Sequence, residues 1–117
     1  MLIRHLALTV RDVARSRDFS LGTIGLNAEA VEEPWGARLR FPDGFMFALI
    51  AGEPAADGTD RVHFGCALAS PDEARAIRRR LHDAGVPEHE WWDEDGYVSV
   101  KVRDPDGYVV ELAYDPA

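Results

Sequence analysis

Most of what this chain can fold into is set by an internal repeat. Residues 41–49, Phe41-Pro42-Asp43-Gly44-Phe45-Met46-Phe47-Ala48-Leu49, align with residues 104–112, Asp104-Pro105-Asp106-Gly107-Tyr108-Val109-Val110-Glu111-Leu112. His5-Leu6-Ala7-Leu8 aligns with His63-Phe64-Gly65-Cys66, and Ile24-Gly25-Leu26 with Ala84-Gly85-Val86. Both copies carry the same order of patterns. An alternating aliphatic run, 5–10 or 62–69, predicts a strand. A helix follows, capped by Asp12 in the first copy and opened by Ser70-Pro71-Asp72-Glu73 in the second, and glycine stops it. Three extended runs complete each copy, at 26–31, 35–41 and 45–51, then at 86–92, 97–103 and 108–114. The last two of each set are joined by Pro-Asp-Gly, a tight-turn sequence in which glycine takes positive φ.

The pattern predicts an α+β fold of two repeated βαβββ modules, about 1–51 and 61–117, with 52–60 as a linker inside a single domain of 1–117. One module has a single helix on a short sheet, so one face of that sheet is left bare. Two modules, within one chain or across two, must share a core or enclose a cavity. In the second helix Ala74, Ile77, Leu81 and Ala84 form the apolar stripe, and Arg75, Arg78, Arg79 and Arg80 are expected on the wet face.

Composition excludes several classes of function. The chain has 117 residues, 21 acids against 13 bases and a net charge of −8, which argues against nucleic acid as a partner. Cys66 is the single cysteine, so no internal disulfide forms and a bridge-stapled secreted scaffold is excluded. No apolar run approaches a membrane span, and Met1-Leu2-Ile3-Arg4 leads directly into patterned sequence and not into a signal peptide. The expected setting is the cytoplasm, with no membrane partner. Lys101 is the only lysine.

Strand alternation places the chemistry. In the first strand Leu6, Leu8 and Val10 pack under the helix, so His5, Ala7 and Thr9 face the other side. His63 and Gly65 do the same in the second copy, and in the last strand Glu111 points with the histidines while Val110 and Leu112 pack. Two neutral imidazoles and one carboxylate suit Fe²⁺, Mn²⁺, Co²⁺, Ni²⁺ or Zn²⁺, with positions left open for water or substrate. His5, His63 and Glu111 are therefore the candidate metal ligands. Ala48, the first-copy counterpart of Glu111, cannot ligate, so an open three-ligand site is favoured.

These residues carry a family resemblance. From His5-Leu6-Ala7-Leu8-Thr9-Val10 through Val62-His63-Phe64 to the closing DPDG-x-x-x-EL stretch, the whole chain resembles the vicinal oxygen chelate superfamily. That superfamily includes glyoxalase I, bleomycin-resistance proteins, extradiol dioxygenases and fosfomycin-resistance transferases. The resemblance implies paired modules whose sheets curve into a mixed, cup-like sheet around a metal with helices outside. It also implies a small-molecule substrate chelating the metal through neighbouring oxygens, and a homodimer. His5, His63 and Glu111 match the family's ligand positions. Ala48 departs from the fourth ligand of glyoxalase I and weighs against that activity, and Ala7 stands where the fosfomycin-resistance transferases carry threonine.

Alternation also sends Tyr97, Ser99, Lys101 and Arg103 to the cup side, with Arg38 and Arg40 in the first copy. A positive cup within an acidic chain is the expectation. Arg38, Lys101, Ser99 and Tyr97 are candidate substrate-binding residues. Lys101 or Tyr97 would serve as the catalytic acid or base if its pKa is lowered by a nearby cation. Of Trp91 and Trp92, one is expected in the core and the other at the cup or an interface. Cys66 reads as a packed small hydrophobe. Two functions follow. The first is a metal-dependent dioxygenase, lyase or transferase; the second is a metal-free binding protein that sequesters an aromatic antibiotic or metabolite.

Overall fold

The structure is a computed structural model and describes residues 1–116. The chain divides into two compact units, Met1–Ala55 and Ala56–Ala117. The boundary falls inside the expected linker, and residues 56–60 belong to the second unit.

In the first unit β1 (His5–Val10) leads into α1 (Val13–Asp18), followed by a π-helical turn (Phe19–Ile24) and then β2 (Glu29–Glu33), β3 (Gly36–Arg40) and β4 (Met46–Ala51). The Asp12 side chain caps α1 by accepting from the Arg15 backbone N–H. Gly25, at φ 89°, ends the π-helical turn, and its N–H reaches back to the Ser20 carbonyl. The sheet order is β1-β4-β3-β2, with β1 parallel to β4 and the remaining pairs antiparallel.

The second unit repeats this arrangement. β5 (Phe64–Ala67) is followed by α2 (Pro71–Asp83), β6 (Glu88–Glu94), β7 (Tyr97–Arg103) and β8 (Val109–Tyr114), in sheet order β5-β8-β7-β6. β5 and β8 run parallel. Ser70 accepts from the Glu73 N–H, and Glu73 Oε2 accepts from the Ala69 N–H, so both side chains satisfy backbone donors at the start of α2. The predicted repeat is thus present in the topology, and the α+β fold of two βαβββ modules is the observed one.

Alternation sorts the side chains as the sequence implied. In the first unit Val10, Ala37, Leu39, Phe47 and Leu49 are buried; in the second, Ala74, Leu81, Val98, Val100, Val102, Val110 and Leu112 are. Each fully buried valine or leucine among these stabilises the fold by about 1.5–3 kcal/mol. The other face of each sheet, away from its helix, carries the polar residues.

The second helix differs from expectation. Ala84 is exposed and lies outside the buried stripe. Arg75 and Arg78 are half-buried, not solvated, because β6 offers them acids. Arg75 makes two hydrogen bonds to Asp93 (2.9 and 3.0 Å), and Arg78 makes two to Glu88 (2.7 and 3.1 Å). The Arg78 guanidinium also lies 4.3 Å from the centre of the Trp91 ring. Trp91 is therefore half-buried beneath an arginine instead of entering the core, and Trp92, on the opposite face, is 45% exposed.

Both Pro-Asp-Gly turns close as expected, with Gly44 at φ 89° and Gly107 at φ 91°. The acids differ in their roles. Asp43 accepts from the Phe45 N–H in the first turn, whereas in the second Asp104 accepts from both Asp106 and Tyr108. Among the described residues no helix is long and apolar enough to cross a membrane.

Gly36 opens β3 at a point where a Cβ atom would stand 1.9 Å from the Leu49 carbonyl oxygen. A flexible neighbour does not make this contact; it is sheet backbone. Gly36→Ala is expected to cost at least about 2 kcal/mol, read as a lowered urea midpoint with unchanged slope.

Candidate functional site

Tyr97, Ser99, Lys101 and Glu111 lie on the helix-free face of the second sheet, whereas His63, expected within a strand over 62–69, stands just before β5. Register places Gly65 beside Glu111, Glu111 beside Lys101, and Lys101 beside Glu90. Ser99 lies across from Ala113 and Trp92 on the same face. Gly65 leaves the Glu111 side chain uncrowded, since even an added Cβ there would lie 3.9 Å from Oε1.

The two oxygens of Glu111 have different surroundings. Oε2 accepts from the Ser99 hydroxyl at 2.7 Å and from the Tyr97 hydroxyl at 2.9 Å. Oε1 stands 3.7 Å from Nε2 of His63. On the far side of the imidazole, Nδ1 lies 2.6 Å from the backbone carbonyl of Asp60. A carbonyl only accepts, so Nδ1 carries a proton, and the ring in its neutral form presents its Nε2 lone pair to Glu111. Two acceptors then face one point with nothing between them to donate.

That arrangement fits a divalent ion. Two ligand atoms each about 2.1 Å from one ion stand about 3.0 to 3.5 Å apart, so the observed gap needs little closure. The partners of each ligand's other atom also match what such ligands require: a carbonyl on the second imidazole nitrogen and two hydroxyls on the second carboxylate oxygen.

Charge follows from the same contacts. Burial pulls the Glu111 carboxyl upward, but the Ser99 and Tyr97 hydrogen bonds, the Lys101 charge and, whenever its ring is protonated, His63 outweigh it. Its pKa is held below the ordinary value.

The condition for Lys101 or Tyr97 to act as a base is not met. Lys101 donates to Asp60 at 2.9 Å and stands 3.1 Å from Glu90, and these bonds push its pKa up, so it stays charged. Tyr97 is lowered by Ser99, but burial and the neighbouring Glu111 carboxylate outweigh this and raise it, so its hydroxyl keeps its proton. Burial pushes the Cys66 thiol up to about 11, away from the thiolate a nucleophile needs.

In the first unit, His5 is exposed at the start of β1 and pairs in register with Met46. Met46 lines a cavity of about 650 Å³ together with Arg38, Arg40, Glu29 and Phe41. Arg38 makes a 3.1 Å ion pair with Glu33, and its buried Nε has no hydrogen-bond partner. Ala7 pairs with Ala48 as Gly65 pairs with Glu111, so Ala48 is confirmed as the counterpart of Glu111. The same register matches Gly36 to Ser99, and the first unit has a turn, Pro34-Trp35, before Gly36 where the second has strand residues Tyr97 and Val98 before Ser99. The first unit thus lacks the carboxylate and both hydroxyls that hold it.

The structure brings His63, Glu111, Tyr97, Ser99 and Lys101 together in the second unit, while His5 and Arg38 belong to the first. Among the described residues no three His, Cys, Asp or Glu side chains gather as a ready metal cluster. The expected surplus of positive charge is also corrected. Arg38 and Arg40 face Glu33 and Glu29, and Lys101 faces Asp60 and Glu90, so each of these cations has an acid beside it.

Two residues of this face were not anticipated. Asp60 falls within the expected linker, and His89 lies outside the predicted site. His89 Nδ1 lies 3.1 Å from Arg103, and its Nε2 lies 3.6 Å from Asp60. A β-bulge between Glu88 and Glu90 turns both His89 and Glu90 to this face while Glu88 stays on the helix side. Strict alternation cannot reveal this.

Comparison with known proteins agrees with this fold. A model of the Glyoxalase/Bleomycin resistance protein/Dioxygenase superfamily matches residues 2–112, and the chain belongs to that superfamily. A possible glyoxalase from Bacillus cereus is 28% identical, with a TM-score of 0.78 over 96% of this chain and 97% of that one. A genomically encoded fosfomycin resistance protein from Listeria monocytogenes is 19% identical, with a TM-score of 0.78 over 94% of this chain and 89% of that one. A variant of that Listeria protein, solved with Mn(II) and 1S,2S-dihydroxypropylphosphonic acid, is 19% identical with a TM-score of 0.79, over 96% of this chain and 88% of that one. A search of the curated proteins finds no match.

Ser99 donates the shorter of the two bonds that hold Glu111. A carboxyl with a depressed folded pKa adds stability above its unfolded value and loses it as pH falls through the folded value. In Ser99→Ala, burial is left less opposed, and the Glu111 midpoint is expected to rise. The stability it adds near neutral pH shrinks accordingly. Titration of the Glu111 carboxyl carbon by NMR reads the shift, and an unmoved midpoint contradicts the assignment.

Proposed function

We propose that the chain is a divalent-metal-dependent enzyme acting on a small substrate that chelates the ion through neighbouring oxygens. The observation that carries this is the facing pair of acceptors, His63 Nε2 and Glu111 Oε1, each fixed from behind. His5 is the third ligand we assign, on its matching place in the repeat and the family resemblance. When bound, the ion supplies Lewis acidity to the substrate's oxygens.

The protein's own groups have separate tasks. Ser99 and Tyr97 hold Glu111 ionised and aimed, and Asp60 holds the His63 tautomer. Arg38 has an unpartnered buried Nε and lines a cavity, which suits it to an anionic group of the substrate. Family membership supports a homodimer as the working form. The Listeria fold relative was solved with Mn(II), so Mn²⁺ is the first ion to test.

Trp92 favours a second reading. It is 45% exposed on the same face as Ser99, and an exposed indole suits sequestration of an aromatic ligand without metal.

Calorimetry with Mn²⁺ on protein purified without a histidine tag separates the two. Wild type is expected to bind one ion per chain. His5→Ala, His63→Ala and Glu111→Ala should each weaken binding by at least about 100-fold, since a lost ligand costs more than a lost supporting residue. Wild-type binding no tighter than that of the His63 and Glu111 variants overturns the metal reading.

A further inference from the structure

The segment between Asp57 and His63 has no regular secondary structure, yet it is tied down along its length. Asp57 accepts from the Thr59 N–H at 2.9 Å and from the Thr59 hydroxyl at 2.7 Å. Arg103 donates to the Gly58 carbonyl at 3.1 Å. Lys101 donates to the Asp60 carboxylate at 2.9 Å. Two cations from β7 therefore reach the same short stretch, one of them at Asp60. Asp60 has two roles at once: its side chain receives Lys101, and its backbone carbonyl receives His63 Nδ1.

We infer that the Lys101–Asp60 ion pair is a latch that sets the tautomer and aim of His63, which makes both residues positioning residues for the candidate metal ligand. The inference rests on the metal reading for its purpose but not for its geometry. Lys101 is 13% exposed and is therefore screened less than a surface cation, so its bond to Asp60 is worth more than an ordinary surface pair. Without that bond the short segment regains its backbone freedom, and the carbonyl that selects the Nδ1-protonated ring is no longer fixed. Nε2 then carries the proton for part of the time and presents no lone pair to an ion.

The latch predicts an effect opposite in sign to simple electrostatics. Deleting a positive charge close to a cation site should, by Coulomb's law alone, tighten metal binding. Deleting the latch should weaken it.

Lys101→Met is expected to weaken Mn²⁺ binding by about 10- to 100-fold, the range for loss of a supporting partner of a metal-bound histidine. In the metal-free protein near about pH 8.5, where an ordinary imidazole is neutral, the ¹⁵N shifts of His63 should move from the Nδ1-protonated form to a mixture. Asp60→Ala should reproduce the tautomer change, and it supplies that readout should Lys101→Met fail to fold. The double variant should lose no more than either single one, because both break the same link. Lys101→Arg should recover most of the affinity.

Unchanged His63 shifts in Lys101→Met, or Mn²⁺ binding as tight as or tighter than wild type, overturns the latch. Additive losses in the double variant do the same. If wild type binds no Mn²⁺, the proposed function fails, and the tautomer measurement on metal-free protein still decides the latch by itself.

Discussion

The parallel pairing of the first and last strands of each unit is the constraint on which the rest depends. A parallel pair cannot be closed by a hairpin, so a helix and two further strands must intervene before the chain returns. That return fixes Gly65 against Glu111, and with it which face of β8 the carboxylate takes. A slip of one residue would send Glu111 into the apolar layer beneath α2 and bring Val110 and Leu112 out. Burial of those two aliphatic residues therefore fixes the register, and the register aims the carboxylate.

Repetition made this legible before any coordinates. The doubled Pro-Asp-Gly turns, the matched histidines and the alternation of β7 were enough to give the topology and the face on which Tyr97, Ser99, Lys101 and Glu111 lie. Three things were not legible. Strand starts moved inward by one to three residues, as at β2, because apolar residues just outside a ladder look like residues within it. The arginines of α2 pattern as a wet face, but nothing local shows that β6 lies across from them with Asp93 and Glu88 at the right spacing. The roles of Asp60 and His89 depend on a loop and a bulge, where the period of two does not hold.

The two copies have also diverged in a coherent way. Where the second carries Ser99 and Glu111, the first carries Gly36 and Ala48, and a turn stands where the second has Tyr97, so the acid and both of its supports are missing together. A carboxylate kept without its hydroxyls would be pulled toward its neutral form by burial, and hydroxyls kept without it would lose their acceptor. Gly36 lies so close to the Leu49 carbonyl that this position accepts no side chain at all. The first unit retains its histidine and holds a cavity flanked by Arg38 and Arg40.

The bulge in β6 matters beyond the two side chains it redirects. β6 is the outermost strand of its sheet, and an outermost strand offers unpaired N–H and C=O groups on which another chain can add. Here the ladder is interrupted near its start, and the strand carries Glu88, Glu90, Asp93 and Glu94 around its two tryptophans. A second copy approaching edge to edge would meet a broken register and a charged rim whose Glu88, Glu90 and Asp93 are already held by Arg78, Lys101 and Arg75. The irregularity that brings His89 to the site thus also makes the edge of the most aromatic strand a poor template for a further strand.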